Sequence, residues 1–397
     1  MSKVQWLSKD LWVIAAGFAA AMHVGKFPAA IPVLQKELGV SLVQSGLLLS
    51  LVQAAGMCCA LLLGSYAAKF GLKRCIMLGL GILSAASIWA GYAPSLNTLF
   101  ITRIFEGFGF LLVTLTGAAL IRQLVPNEEI AAKMGLWTAY MGGGMGIALL
   151  VTPFLLQELS WQHTWMIFAL ITLVVLVAIA IYIPRAASAA QTVSVIELLK
   201  ITLKHRAAWL LAMIFCVYAG QWFAMVGFLP VIYAQNEIAA TTAGVLTASV
   251  SIANAVGTFG CGLLLQRGFQ PKTLVQFGFL IFAAGAFAFY GFQDHLSFFI
   301  QFAVVFSFSL FGGLVAATVF SQALHFAPST LTISTTIGLI LQSSALSQFV
   351  LPPAIAVLVS TTGTWLGAGI VMLILSMIGI VLTQLLFKPT TLAKNAS

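Results

Sequence analysis

The chain has 397 residues, of which 61% are hydrophobic and only 7% are charged, and its net charge is +9. A water-soluble domain carries about 25% charged residues because water must solvate its surface, so this composition excludes that class. The mean hydropathy of +1.08 indicates a surface that faces lipid.

Twelve apolar segments in chain order approach the roughly 20 residues that a transmembrane helix needs. They lie near residues 11–34, 42–67, 75–93, 97–121, 134–156, 164–184, 208–233, 243–265, 273–291, 297–324, 333–359 and 364–387. The first is retained as a span and is not a secretion signal, because it is too long, contains Lys26 and is followed by many similar segments. The sequence therefore predicts an all-α membrane protein with twelve transmembrane helices.

The basic residues between these segments predict the orientation. Fifteen of the 18 Lys and Arg residues fall on one side when the amino terminus is placed inside: Lys3, Lys9, Lys69, Lys73, Arg74, Arg122, Lys133, Arg185, Lys200, Lys204, Arg206, Arg267, Lys272, Lys388 and Lys394. The outward loops hold only Lys36, and Lys26 and Arg103 lie within spans. Positive residues concentrate on the cytoplasmic side, so both termini are predicted to be cytoplasmic in a cell membrane, with the bacterial inner membrane expected. The surplus charge suits anionic lipid, and no nucleic-acid partner is predicted.

The polar stretch from Pro184 to Arg206 divides the chain near its middle. Its amphipathic run, Val193 to Lys204, is predicted to lie at the cytoplasmic interface. We therefore expect an amino-terminal six-helix bundle over residues 1–184, a linker over 185–206 and a carboxy-terminal six-helix bundle over 207–397.

The second half repeats the first when the numbering is shifted by 198 residues. Without a gap, Pro32 falls on Pro230, Gly46 on Gly244, Gly64 on Gly262, Lys69 on Arg267, and Arg74 on Lys272. Parallel repeats of six spans are a known plan of transporters that hold the solute between the halves. The same shift places His23 on Gln221, Lys26 on Ala224 and Arg103 on Gln301, so these three ionisable residues within spans have no ionisable counterpart.

Three short motifs accompany this repeat. The segment Gly64 to Arg74 is similar to the signature Gly-x-Leu-Ala-Asp-Arg-x-Gly-Arg-Arg, with Ala68 in place of Asp. The segment Arg103 to Gly107 meets the pattern Arg-x-x-x-Gly in the fourth span, and residues 160–165 are similar to a Trp-Arg-Trp turn. On these motifs the chain resembles the major facilitator superfamily over essentially its whole length.

The resemblance implies a two-bundle fold, alternating access and a monomer, with spans 1, 4, 7 and 10 lining a central cavity. It also implies a gating or conformational role for the residues of the first motif, namely Gly64, Lys69, Gly71, Lys73 and Arg74. The family's antiporter signature Gly-Pro-x-x-Gly is not met in the fifth span, where glycines occur at 142–146 and Pro153 stands apart. Within the family, the chain is similar to the cyanate and nitroimidazole porter branch or another anion branch.

Four ionisable residues lie within predicted spans: His23 and Lys26 on the first, Arg103 and Glu106 on the fourth. Such groups are costly in hydrocarbon, so they usually face a partner or a water-filled cavity. Each pair has i, i+3 spacing and shares one helix face, and the depths agree, so we expect one cluster. With neutral His23 it holds two positive charges and one negative charge, which predicts a site for a small anion.

Each of these residues also has a structural alternative. Arg103 can brace the fourth span against backbone carbonyls of the first, and Lys26 can extend to the membrane surface. Glu106 can serve only as an ion-pair partner, and His23 can be a satisfied interior histidine.

In the second half, Gln221 and Trp222 occupy or adjoin the repeat position of His23, and we predict that they contact the solute. Other intramembrane amides favour interhelical hydrogen bonding over solute contact: Asn254, Gln301, Gln342 and Gln348. Prolines within spans predict kinks: Pro28, Pro32, Pro153, Pro230, Pro352 and Pro353.

The sequence predicts a secondary transporter of a small anion, with proton symport through Glu106 or His23 as one form of coupling. The alternatives are an exporter of hydrophobic or cationic compounds, a sensor that has lost transport, and a membrane-embedded enzyme. The single intramembrane acid disfavours the exporter. The absence of catalytic and cofactor motifs disfavours the enzyme, and neither a metal nor a cofactor is predicted.

Overall fold

The computed structural model describes residues 8–92, 95–126, 129–184, 194–292 and 295–388, without the side chains of residues 64–69 and 131–132. Helices and their connections make up all of these residues, and twelve helical segments are long and apolar enough to cross a membrane. They are span 1 (Lys9–Leu38), span 2 (Leu42–Leu63), span 3 (Leu72–Tyr92), span 4 (Leu96–Leu124), span 5 (Tyr140–Glu158), span 6 (Trp161–Tyr182), span 7 (Arg206–Gln235), span 8 (Ala240–Gln266), span 9 (Pro271–Gly291), span 10 (Phe298–Phe326), span 11 (Thr330–Thr362) and span 12 (Leu366–Leu386). The predicted all-α fold with twelve spans is confirmed.

Two shorter helices lie outside the spans. Ile130–Thr138 precedes span 5, so the predicted start of that span at residue 134 is wrong. Trp137, in the last turn of this short helix, is buried against Gly17 and Gly117, and the lack of a Cβ on these glycines leaves room for its indole ring. The second helix, Val195–Lys204, follows the predicted amphipathic run, and residues 185–193 of the predicted linker lie outside the described chain.

Local chemistry fixes several span ends. Ser41 accepts a hydrogen bond from the backbone N–H of Gln44, whose side chain accepts from the Ser41 N–H, which is a capping box at the start of span 2. Gly39 after span 1 has φ +64° and Gly71 between spans 2 and 3 has φ +100°, a region that favours glycine.

The packing of spans 1–6, here the N-terminal half, is repeated in spans 7–12, the C-terminal half. Span 1 packs against spans 4, 5 and 6, and span 7 packs against spans 10, 11 and 12. Spans 3 and 4, spans 3 and 6, and spans 2 and 4 are in contact, as are spans 9 and 10, spans 9 and 12, and spans 8 and 10. This agreement follows the sequence repeat, while the predicted domain boundaries at residues 184 and 207 stay a prediction.

The halves meet along span 2 with span 11, span 5 with span 8, and span 1 with span 7. The first two pairs exchange under the repeat, so they are equivalent seams. Small residues let the backbones approach: a Cβ on Gly142 would lie 2.8 Å from the Ser251 carbonyl oxygen, and one on Gly46 would lie 3.0 Å from that of Pro352. The Ser251 hydroxyl donates to the Gly142 carbonyl at 2.9 Å.

Candidate functional site

His23 and Lys26 of span 1 and Arg103 and Glu106 of span 4 form one buried cluster, hereafter the charge cluster. Each is at most 1% exposed. The Glu106 carboxylate lies between the two cations, with Oε1 2.6 Å from the Lys26 Nζ and Oε2 2.7 Å from the Arg103 Nη1. Because two cations face one carboxylate, the cluster carries one surplus positive charge when His23 is neutral.

The Lys26 ammonium uses all three of its N–H donors inside the N-terminal half. Besides Glu106, it donates to the Ser87 hydroxyl of span 3 at 2.7 Å and to the His23 Nδ1 at 3.0 Å. Its Nζ also lies 4.8 Å from the ring centroid of Trp165 in span 6. Lys26 is therefore held by four spans and does not extend toward the membrane surface.

The hydrogen bonds of His23 define its tautomer. A lysine ammonium can only donate, so the His23 Nδ1 accepts from Lys26 and the proton of a neutral ring lies on Nε2. This Nε2 is 2.8 Å from the Thr172 hydroxyl of span 6, which in turn donates to the Phe168 carbonyl at 2.9 Å. The network is consistent in every direction with a neutral imidazole that ties span 1 to span 6.

Arg103 joins span 4 to the backbones of two other spans. Its Nε donates to the Leu48 carbonyl of span 2 at 3.0 Å, and its Nη1 donates to the His23 carbonyl of span 1 at 2.9 Å and to Glu106. The guanidinium carbon lies 4.5 Å from the ring centroid of Phe27. Its Nη2 is buried without a hydrogen-bond partner.

The four predicted residues are thus brought together, but their surroundings differ from the predicted watery pocket between the halves. Spans 1, 2, 3, 4 and 6 enclose the cluster, and its contacts in this conformation are those of the structural alternatives: a bracing Arg103, a paired Glu106 and a satisfied His23. Solute contact by these residues stays a prediction. Sequence reasoning missed Ser87 and Thr172, because isolated hydroxyl residues in apolar spans carry no distinguishing signal.

The predicted residues of the C-terminal half take part in a neutral hydrogen-bond network. The Gln221 Oε1 accepts from the Ser376 hydroxyl of span 12 at 2.9 Å, and its Nε2 donates to the Val217 carbonyl. The Trp222 Nε1 donates to the Ser309 hydroxyl of span 10 at 2.8 Å. Gln221 is 0% exposed and Trp222 is 5% exposed, so both are interior groups here and their contact with a solute stays a prediction.

The residues predicted to act in gating are only partly described. The surroundings of Gly64 and the side chain of Lys69 lie outside what the structure describes. Gly71 directly follows the helix Ala54–Phe70 in a left-handed conformation, and Arg74 is exposed. The Lys73 Nζ donates to the Ala180 and Ile183 carbonyls at the end of span 6, at 2.9 and 2.6 Å, which is the position of a C-terminal helix cap.

Comparisons with known proteins agree with this architecture. A sequence model described as Major Facilitator Superfamily matches residues 13–340. Over 95% of this chain and 96% of the other, the fold matches a bacterial homolog of the human lysosomal transporter Spinster, solved in an inward-facing and occupied conformation, with a TM-score of 0.75. The identity is 13%, so this likeness concerns the fold alone.

Three sequence relatives carry different names. An uncharacterized transporter of Rickettsia bellii is 24% identical over 52% of each chain. The methyl viologen resistance protein SmvA of Salmonella typhimurium is 28% identical over 55% of this chain and 42% of its own, and the cyanate transport protein CynX of Escherichia coli is 22% identical over 51% and 52%. The chain spans about half the length of the curated relatives it matches.

Proposed function

The chain belongs to the Major Facilitator Superfamily and is a multi-pass membrane transporter, and on that premise we propose that it carries a small anion by alternating access. We also propose that both termini are cytoplasmic in a bacterial inner membrane, as the distribution of basic residues predicts. The observation that carries the anion assignment is the surplus positive charge of the cluster, together with the unpartnered Nη2 of Arg103.

A buried net charge is unfavourable, and a monoanion beside Arg103 would neutralise it. The Nη2 group offers two N–H donors in the planar arrangement that suits a carboxylate or a similar anion. Since Arg103 is 1% exposed, the solute reaches it only when the enclosing spans separate. Binding is therefore coupled to a conformational change from the outset.

We propose proton symport as one form of coupling, with Glu106 as the group that binds the proton. A proton on Glu106 would raise the cluster charge from +1 to +2 and release the carboxylate from Lys26 and Arg103. A monoanion would then return the charge to +1, so one proton and one anion move together. Dissociation of the anion favours loss of the proton from Glu106, which restores both ion pairs.

Counterflow into proteoliposomes tests the proposal with a panel of cyanate, formate, acetate and nitrate, with and without an inward proton gradient. At least one anion should exchange, and Arg103→Lys should slow its uptake at least about tenfold, a loss of about 1.4 kcal/mol, because an ammonium lacks the second N–H pair. Lys36→Met, which removes an exposed cation from the last turn of span 1, is the matched control and should leave uptake unchanged.

Export of an organic cation is the second candidate, and the similarity to the methyl viologen resistance protein favours it. Its weakness is that the Glu106 carboxylate already binds two cationic side chains. Transport of methyl viologen with none of the four anions exchanged would overturn the anion proposal and favour this one.

A further inference from the structure

Span 2 is interrupted at the level of the charge cluster. An α-helix over Leu42–Ser50 is followed by a 3₁₀ segment, Leu51–Gln53, and the α-helix resumes at Ala54. A 3₁₀ turn inside a longer helix often marks a hinge or a sequence under strain. None of the three residues is a proline or a glycine, so the local sequence does not force this conformation.

Span 4 holds this 3₁₀ segment from one side. The Arg103 Nε donates to the Leu48 carbonyl, whose α-helical partner would be the N–H of Val52, four residues later. One turn further along span 4, a Cβ on Gly107 would lie only 2.5 Å from the Val52 carbonyl oxygen. Both defining residues of the Arg-x-x-x-Gly motif therefore contact the interrupted part of span 2.

Span 11 of the other half meets the same segment from the opposite side. The Gln53 Nε2 donates to the Gln348 Oε1 at 2.9 Å, and Gln53 is only 5% exposed. Span 11 is itself irregular at this level, because Pro352 has no N–H to bond the Gln348 carbonyl four residues earlier. The 3₁₀ interruption of span 2 thus faces a site in span 11 that lacks one backbone hydrogen bond, and an amide pair joins the two across a seam between the halves.

We propose that Leu51–Gln53 is a conformational switch that couples the charge cluster to the seam between the halves through Arg103 and the Gln53–Gln348 pair. When Arg103 moves away from Leu48, the carbonyl becomes fully available to Val52 and the segment converts to α-helix. Three residues then shorten by about 1.5 Å and rotate by about 60°, because the rise and twist per residue differ between the two helices. Gln53 turns away from Gln348, and the seam loses this bond.

Gln53 and Gln348 are therefore positioning residues. The switch requires only that Arg103 changes partners, so it goes beyond the proposed function and does not depend on the solute being an anion. Its two states are the 3₁₀ and α conformations of one segment, and both the cluster and the seam bias the equilibrium between them.

The experiment measures the conformational equilibrium and not uptake. Spin labels at Lys36→Cys, in the last turn of span 1, and Ala239→Cys, directly before span 8, report the distance between the halves by pulsed electron resonance, with the five native cysteines replaced. Arg103→Lys should change the ratio of the two distance populations by at least about fivefold, a typical coupling. In a Gln348→Leu background, Arg103→Lys should change this ratio less than about twofold, because the Gln53–Gln348 hydrogen bond through which it acts is absent.

Two controls make the result decisive. Ser251→Ala removes a buried inter-half bond at the other seam, and its effect should add to that of Arg103→Lys. Gly107→Ala pushes the 3₁₀ segment without changing any charge and should shift the ratio in the same direction. Gly109→Ala on the same helix would place a Cβ 2.6 Å from the Gly79 carbonyl oxygen of span 3, away from the 3₁₀ segment, and should not shift the ratio in that direction.

If Arg103→Lys does not fold, Gly107→Ala with Gln348→Leu repeats the cycle. Additive effects of Arg103→Lys, or of Gly107→Ala in that case, with Gln348→Leu would overturn the proposal. Equal shifts from Gly107→Ala and Gly109→Ala would overturn it as well. Loss of anion uptake alone would bear only on the proposed function, because the switch is measured by distance.

Discussion

The first and last spans of each half are tied together by a buried side-chain hydrogen bond, which involves His23 in one half and its repeat counterpart Gln221 in the other. In the N-terminal half the His23 Nε2 lies 2.8 Å from the Thr172 hydroxyl of span 6. In the C-terminal half the Ser376 hydroxyl of span 12 donates to Gln221 at 2.9 Å. A neutral hydrogen bond therefore joins span 1 to span 6 in one half and span 7 to span 12 in the other.

The halves differ in what surrounds that bond. One turn after His23, Lys26 of the N-terminal half corresponds to Ala224 of the C-terminal half. Two cations and one carboxylate therefore lie in the N-terminal interior. The C-terminal interior is completed by neutral bonds, such as that from the Trp222 Nε1 to Ser309. Since neutral groups suffice to pack the six spans of the C-terminal half, and buried ions are often no better for stability than apolar groups, packing alone does not require these charges.

Removal of the Glu106 carboxylate should have the largest effect on the stability of the N-terminal interior. Glu106→Gln keeps the shape of the side chain but leaves Lys26 and Arg103 buried without a counter-charge, and we expect the free energy of unfolding to fall by about 3–5 kcal/mol. Denaturant unfolding of the purified protein in detergent measures it. Glu37→Gln, at the exposed end of span 1, should change it by less than about 0.5 kcal/mol. A loss below about 1 kcal/mol for Glu106→Gln would mean that the carboxylate does not hold the cluster.

A double substitution makes the N-terminal interior less charged, and so more similar to the neutral C-terminal interior. In Lys26→Met with Glu106→Gln one cation and one anion are removed together, so the net charge of the cluster is preserved. We expect at least half of the stability lost in Glu106→Gln to return, because fewer buried charges remain unpaired. Anion exchange beside Arg103 should persist, because the surplus charge and the Nη2 group remain, but its response to a proton gradient should disappear with the Glu106 carboxylate. A proton-gradient response that persists in the double variant would show that Glu106 does not bind the coupled proton.

The sequence predicts the cluster but not its setting. Ionisable residues are so rare in these spans that two i, i+3 pairs at matching depth identify His23, Lys26, Arg103 and Glu106. Their partners Ser87 and Thr172 belong to spans 3 and 6, and one hydroxyl among many carries no signal for a contact between helices distant in sequence. The enclosed position within one half depends on the rotation of each span, which a weakly amphipathic, apolar sequence does not specify.

Two interruptions of the helices, in span 2 and before span 5, also carry no signal in the sequence. Leu51–Gln53 contains no residue that breaks helices, so its 3₁₀ conformation reflects tertiary contacts with spans 4 and 11. The break before span 5 has a similar origin, since Trp137 fits between glycines of spans 1 and 4. Local propensity therefore predicted where the spans lie, and packing decided where these two interruptions occur.

Within the C-terminal half, a smaller effect tests whether neutral bonds alone stabilise the interior. Trp222→Phe removes the Nε1–H that donates to Ser309 and part of a ring that is 5% exposed. We expect a loss of about 1–2 kcal/mol in the free energy of unfolding, from one hydrogen bond and the cavity left behind. Ser309→Ala leaves the indole N–H unsatisfied without removing the ring and should cost about 1 kcal/mol. If Trp222→Phe instead slows uptake tenfold with stability unchanged, Trp222 contacts the solute as the sequence predicted.

The smallest expected effect concerns Lys73, which has no counterpart in the C-terminal half because the repeat places Pro271 there. Lys73 donates to the Ala180 and Ile183 carbonyls, and a cation at a helix C-terminus contributes about 0.3–1 kcal/mol. Lys73→Met should therefore lower the free energy of unfolding by about that amount and keep uptake within about twofold. Lys200→Met removes an exposed cation of the short helix Val195–Lys204, outside the motif, and should change neither quantity. A tenfold loss of uptake in Lys73→Met with unchanged stability would favour the gating role over the helix cap, since a cap acts on the folded state and not on the transport cycle.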